Sequence, residues 1–417
     1  MEIRIESAFP DRPQFQGFMK PCRLEGEVQA LEFRGIIPKE IDGTFYRVMP
    51  DPQLPPFVQN DPKRQQWFNG DGNIAAFTIK DGNVSFRQRY VRTEKFTRER
   101  EAKRALLGKY RNKFTDAVEF KIRSTANTNV VYFNGQLLAL KEDAPPYALD
   151  PTTLETRGLY DFEGQLPSLT FTAHPKFDPK TGEMICFGYE AKGDGTPDVC
   201  YYSVSPEGKF TEVVWLVAPV AAMIHDFAVT ENWWLEYKNS FPGHTSNAYE
   251  DENGNITLDL GLSDKNVFFW WPDAQGNAPE PSSIVSQLVQ FNFNPRTEDL
   301  SLPSPRILQE QNTEFYRIDD RFATQPYRHC FMDLMDPSLG TDFQTIGPKL
   351  GGGHPLYNSL GHLDRIAFVG YEGLYEGAGY YFVAHAVETG IAWELGGCDR
   401  FGGVCLSLPD WILCDDN

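Results

Sequence analysis

The sequence predicts an all-β fold, a propeller or a large sandwich, and two observations carry that reading. Short β-prone runs recur along most of the chain: FNGDGNIAAFTIKDGNVSFRQRYVR, NTNVVYFNGQLLALKE, GEMICFGYEA, VCYYSVSPEGKFTEVVWLV and ENGNITLDLGL. Asp-Gly, Asn-Gly and Glu-Gly pairs break them, and these residues accept positive φ and so make hairpin turns. Many short strands spread over several hundred residues favour several sheets, as in a propeller or a large sandwich. No repeat of constant period is visible, so a propeller here has divergent blades.

The run from Glu94 to Lys113 is strongly basic and poor in β-branched residues, which predicts a helix with a solvated charged face. From about Phe368 the chain turns rich in Gly and Cys, almost loses Lys and Arg, and drops the polar alternation of the earlier strands. Residues 1–367 therefore read as the β-rich body and 368–417 as a divergent tail.

A chain of 417 residues, 41% hydrophobic, suffices for one large domain or two ordinary ones. A net charge of −19 disfavours nucleic acid and anionic membrane as partners, since both reward basic patches. The N-terminal MEIRIESAFPDRP lacks the apolar centre of a signal peptide, and no stretch approaches the roughly 18 apolar residues of a membrane span. Cys22, Cys186, Cys200, Cys330, Cys398, Cys405 and Cys414 show no CxxC spacing. A reduced, cytoplasmic setting is expected.

Three of the seven histidines stand in distinctive contexts: His174 in TAHPKFDP, His225 in MIHDFAVTEN and His244 in PGHTSNAYED. His174 falls between a β-run and a DPKTG turn, at a strand end. His225 lies in an apolar run beside Asp226, and His244 precedes Asn247 and Glu250, which could steady a turn. A site of imidazoles alone leaves a redox metal cationic, with open positions for oxygen or substrate. Singly, each imidazole also fits a satisfied buried histidine.

These contexts, with GIIPKEIDGTFYRVMPDP, WFNGDGNIAAF, ANTNVVYFNGQLLALKEDAPPYALD, EFYRIDDR and HPLYNSLGHLDR in order, resemble the carotenoid cleavage oxygenase family. The likeness runs to about residue 365 and is strongest to the fungal stilbene-cleaving branch, the lignostilbene and resveratrol dioxygenases. It implies a seven-bladed β-propeller with a few helices capping one face, and an iron(II) held by four histidines. His174, His225 and His244 match the first three ligand positions. Glu142 and Glu314 match carboxylates behind the ligands, which orient the imidazoles. Thr128 matches a residue that restricts access to an open coordination position.

The resemblance further implies that Tyr110 and Lys141 contact the para-hydroxyl of a phenolic stilbene while Phe68 packs on its ring. A Lys near a phenol stabilises the phenolate, which pushes electron density onto the central alkene. The implied reaction uses O2 to split that alkene into two aldehydes, with no organic cofactor. Exposed surface roles for Tyr110 and Lys141 are the alternative.

The sequence departs from the family twice. His225 and His244 lie much closer together than the family's second and third ligands, so at least one strand or hairpin is expected to be missing there. After residue 367 the block with the third glutamate and the final histidine does not follow; His385, in FVAHAVETG, has unmatched surroundings. His329, His354 and His362 sit in matching blocks at positions the family does not use as ligands. The second reading is therefore a catalytically impaired or non-catalytic remnant, a binding or scaffold protein with a defective iron site. A propeller metallohydrolase is the third, against which the scarcity of Asp and Asn at the matching positions argues.

Overall fold

The computed structural model describes most residues between 20 and 365. Outside the described residues lie 57–66, 231–240, 268–279, 297–301, 337–356, a few single positions, most of 1–19 and nearly all of 366–417. Five four-stranded sheets and one two-stranded hairpin account for the strands. The chain divides into two compact units, one of residues 1–176 and 181–225, the other of 177–180 and 226–417.

In the first unit, β1 (Gly26–Val28), β2 (Gly43–Asp51), β3 (Asp71–Lys80) and β4 (Asn83–Tyr90) form a sheet in the order β1-β4-β3-β2. Asp81 and Gly82, at φ 51° and 73°, turn β3 into β4. Both central residues of this primed turn need positive φ, which the Asp-Gly pair supplies. The second sheet runs β5 (Asn129–Phe133), β6 (Gln136–Lys141), β7 (Ala144–Leu149) and β8 (Thr156–Leu159), with Asn134 and Gly135 making the same turn. Both β6 and β7 are buried along nearly their whole length. Ile74 and Ala76 of the first sheet pack with Leu137, Ala139, Tyr147 and Leu149 of the second. The third sheet contains β10 (Met184–Tyr189), β11 (Asp198–Val204) and β12 (Phe210–Val217), with a short edge strand β9 (Lys176–Phe177).

The basic run forms one helix, α1 (Glu94–Ala102), capped by Thr93 Oγ1, which accepts from the Phe96 amide. It stops well short of Lys113, because Lys103 takes a left-handed conformation. One face is buried rather than solvated. The Lys95 ammonium is buried 2.7 Å from Asp71 and 2.9 Å from Glu99. Glu99 also accepts from the Leu106 and Leu107 amides at 2.8 Å.

The second unit holds a sheet of β13 (Phe241–Glu250), β14 (Ile256–Ser263), β15 (Ser286–Phe293) and β16 (Arg306–Gln309). It also holds one of β17 (Thr313–Arg317), β18 (His329–Leu334), β19 (Ser359–Asp364) and β20 (Tyr381–Phe382). Leu258, Leu260, Val289 and Phe291 make the core of the former, and Cys330, Met332, Leu334 and Leu363 part of the core of the latter.

The all-β expectation holds, but seven blades do not: the described residues supply five four-stranded sheets. Between β12 and β13, where the chain is short, residues 223–230 are irregular and 231–240 lie outside the described set. A few capping helices were expected too; α1 is the single α-helix among the described residues. The divergent tail, including His385, lies outside them except for β20, β21 (Leu406–Leu408) and β22 (Trp411–Leu413).

Candidate functional site

The tripeptide Asn127-Thr128-Asn129, leading into β5, fixes much of the first unit's site. The Asn127 amide donates to the carbonyls of Phe68 and Gly70 at 2.8 and 2.7 Å. Thr128 Oγ1 lies 3.4 Å from Lys141 Nζ, and Asn129 Nδ2 donates to the Ala173 carbonyl at 2.9 Å. Three successive residues thus tether the segments carrying Phe68, Lys141 and His174. The sequence reading found only Thr128.

β6 ends at Lys141, where its register with β7 shifts, so Lys141 and Glu142 fall at a tight inward turn. Both side chains are buried, so Lys141 is not an exposed surface residue, and Tyr110 is half-buried. A buried ammonium needs partners, and several are present. Lys141 Nζ lies 3.9 Å from Glu142 Oε2 and 3.3 Å from Tyr110 Oη, and it sits 4.6 Å from the centroid of the Tyr110 ring. Phe68 packs against Tyr110 with centroids 5.7 Å apart.

Glu142 joins this group to a histidine. Its Oε1 lies 3.4 Å from both Tyr110 Oη and His225 Nδ1. Burial alone would raise the Glu142 carboxyl, but the charges of Lys141 and His225 and the His225 hydrogen bond outweigh it and hold the group well below the usual range. Burial, and then the charges of Glu142 and Asp143, push the Tyr110 phenol well above its ordinary value, so it stays a protonated donor. His174 Nε2 and His225 Nε2 lie 3.0 Å apart. His174 precedes β9 rather than ending a strand, and its amide donates to Thr172 Oγ1 at 2.9 Å.

In the second unit, His244 stands within β13, not before a turn. Its Nδ1 lies 2.5 Å from Glu314 Oε2 and its amide donates to Glu314 Oε1 at 2.8 Å. The Phe315 amide donates to Oε2 at 2.6 Å. Burial would raise Glu314, but the His244 charge and these hydrogen bonds hold it low. Room for this carboxylate comes from missing side chains: a Cβ at Gly243 would sit 1.8 Å from Glu314 Oε1, and one at Gly261 3.1 Å from it. A Gly directly before His244 is the signal that could have revealed this. Asp226 Oδ2 accepts from the Thr245 amide and hydroxyl at 2.8 and 3.0 Å. Asn247 ties β13 to the 319–325 turn through the Phe322 and Gln325 carbonyls.

In each unit, an imidazole is oriented through Nδ1 by a buried carboxylate, which leaves Nε2 to act as a ligand. Four-stranded antiparallel sheets carrying such pairs make this an all-β protein with carboxylate-backed histidines as candidate metal ligands. The chain belongs to the RPE65/carotenoid oxygenase family: the family model described as retinal pigment epithelial membrane protein matches residues 19–235 and 234–365. Resveratrol cleavage oxygenase 1 of Aspergillus fumigatus is 69% identical over 407 residues, covering 87% of this chain and 81% of that protein. Carotenoid cleavage oxygenase 1 of Neurospora crassa is 53% identical over 396 residues, covering 84% and 74%. The crystal structure of Pseudomonas brassicacearum lignostilbene dioxygenase superposes with TM-score 0.79 at 38% identity, covering 87% of this chain and 83% of that one.

Proposed function

We propose that this chain is a non-haem iron(II) dioxygenase that cleaves the central C=C bond of a 4-hydroxystilbene with O2, giving two aromatic aldehydes. The observation that carries the reading is the run of contacts from Tyr110 through the buried Lys141 and Glu142 to His225. The similarity to enzymes named for resveratrol and lignostilbene cleavage supports it.

His174, His225 and His244 would hold the iron, with Glu142 and Glu314 fixing the rings of His225 and His244. The donor set fits: imidazoles are borderline ligands, and the 3.0 Å between the His174 and His225 Nε2 atoms suits two neighbouring positions on one ion. When bound, iron supplies the redox chemistry by which O2 divides the alkene. The chain's residues prepare the substrate. Tyr110 donates a hydrogen bond to the para-oxygen, and the Lys141 ammonium favours its phenolate form. Phe68 packs on the ring, and Thr128 steadies Lys141 and narrows access to the ion. The five sheets are read as blades of a propeller that is short of seven, and the two stretches matched by the family model meet at residues 234–235, inside the shortened interval between His225 and His244. A cytoplasmic setting is proposed on the reduced Cys22, Cys186, Cys200 and Cys330; among the described residues no helix is long and apolar enough to cross a membrane.

Metal analysis and turnover test the reading together. The chain loaded with Fe(II) is expected to retain iron after dialysis and to convert a 4-hydroxystilbene to two aldehydes, each labelled when 18O2 is supplied. Retained iron without cleavage overturns the stilbene assignment. Failure to retain iron favours the impaired remnant instead.

A further inference from the structure

A second pair of imidazoles lies on the fifth sheet. β18 and β19 alternate cleanly: Cys330, Met332, Leu334 and Leu363 face the core, while His329, Phe331, His362 and Asp364 take the half-exposed side. The register sets His329 opposite Asp364 and Phe331 opposite His362, which makes the two histidines diagonal neighbours. His329 Nδ1 and His362 Nε2 lie 2.9 Å apart.

That distance has a chemical meaning. An ion bound at about 2.0–2.1 Å by two imidazole nitrogens at right angles sets those nitrogens about 2.9 Å apart. His174 and His225, read above as metal ligands, show nearly the same separation, 3.0 Å. The pair is also held ready. The Phe331 ring stacks on His362 with centroids 4.7 Å apart and planes 13° from parallel. Beside it, Arg328 and Asp364 form an ion pair at 2.8 Å, and the Arg365 amide donates to the Arg328 carbonyl at 2.9 Å, tying the strand ends. Burial, and then the neighbouring His329, lower His362 from the usual imidazole value, which favours the neutral form that carries a lone pair.

We propose that His329 and His362 form a two-imidazole site for a divalent transition metal ion of the Cu2+ type, with water completing its shell. The site sits on two hydrogen-bonded strands, so its geometry needs no rearrangement beyond loss of the proton shared by the rings. It is built from residues that the iron reading leaves unused, and it stands or falls separately from that reading.

Cu2+ titration of the full chain, followed by electron paramagnetic resonance and by metal analysis after dialysis, tests it. The unchanged chain is expected to bind one Cu2+ more than His329→Gln and one more than His362→Gln, the site in each variant being weakened at least about tenfold. His174→Ala is expected to keep that equivalent, with a signal from two nitrogens. Thermal unfolding of the two Gln variants, one on each strand, checks that both fold. Unchanged Cu2+ binding by both folded variants overturns the proposal, and so does loss of the same equivalent in His174→Ala.

Discussion

The two histidine–carboxylate pairs use the same chemistry differently. Glu314 serves His244 alone among side chains: it is held close to the ring, fixed by two backbone amides and seated where Gly243 and Gly261 leave room. Glu142 is shared. His225 and Tyr110 both lie 3.4 Å from one of its oxygens, and Lys141 lies 3.9 Å from the other, which has no hydrogen-bond partner. One carboxylate clamps a proposed ligand; the other links a proposed ligand to the groups that would meet a phenol. On the proposed function, a shared carboxylate couples the phenol-binding groups to the metal ligand, whereas a clamp only holds its ring.

The comparison can be broken first at the clamp. Glu314→Ala is expected to weaken iron binding by about a hundredfold, as measured by iron per chain after dialysis against a graded chelator. Gly243→Ala should reproduce the direction of this loss without altering any charge, since the new methyl group occupies the carboxylate's place. If Glu314→Ala retains iron as well as the unchanged chain does, the clamp is not a clamp.

The shared carboxylate is sharpened through its neighbours. Lys141→Met is expected to lower kcat/KM on a 4-hydroxystilbene by about thirtyfold, the worth of a hydrogen bond to a charged group, while iron content stays constant. A 4-methoxystilbene, which has no proton to lose, should show a much smaller change. Tyr110→Phe removes one hydrogen bond to the same phenolate oxygen but no charge, and should cost about fifteenfold on the same substrate, the lower end for a bond to a charged group. Equal losses on both substrates would count against the phenolate role.

The smallest effect calibrates acid sensitivity away from either pair. Asp150 accepts from the Thr153 amide, the Arg157 guanidinium and the Thr152 amide, and its carboxyl is held at about 2. A folded value below the unfolded one contributes stability above the ordinary carboxyl range, lost as pH falls toward about 2. Asp150→Asn should therefore flatten the pH dependence of unfolding between about pH 4 and 2, as followed by circular dichroism. An unchanged slope would show that this exposed carboxylate adds nothing.

How much of this was legible in the sequence follows from how far each interaction reaches along it. The Asp81-Gly82 and Asn134-Gly135 turns are local, and their residue types announced them. The clamp was half legible, since Glu314 was picked out by resemblance while Gly243 and Gly261 were not. Asn127 and Asn129 were missed because an amide reaching a carbonyl 44 or more positions away leaves no periodic trace. Each sheet is built almost wholly from strands consecutive in sequence, so its hairpins were legible one by one, but the divergent blades share no period by which to count them, and the described residues supply five. α1 was misread for a simpler reason: Lys and Glu usually mark a wet surface, and nothing local shows that Asp71 waits opposite.

That buried triad has a bearing on how such a site changes over time. Lys95 bridges Asp71, where β3 begins, to Glu99, and Glu99 grips the amides of Leu106 and Leu107 a few residues before Tyr110. The ion cluster therefore acts as a set screw on the tyrosine's approach to Lys141. On the proposed function, substitutions around α1 would shift substrate preference while the residues placed against the phenol stay the same.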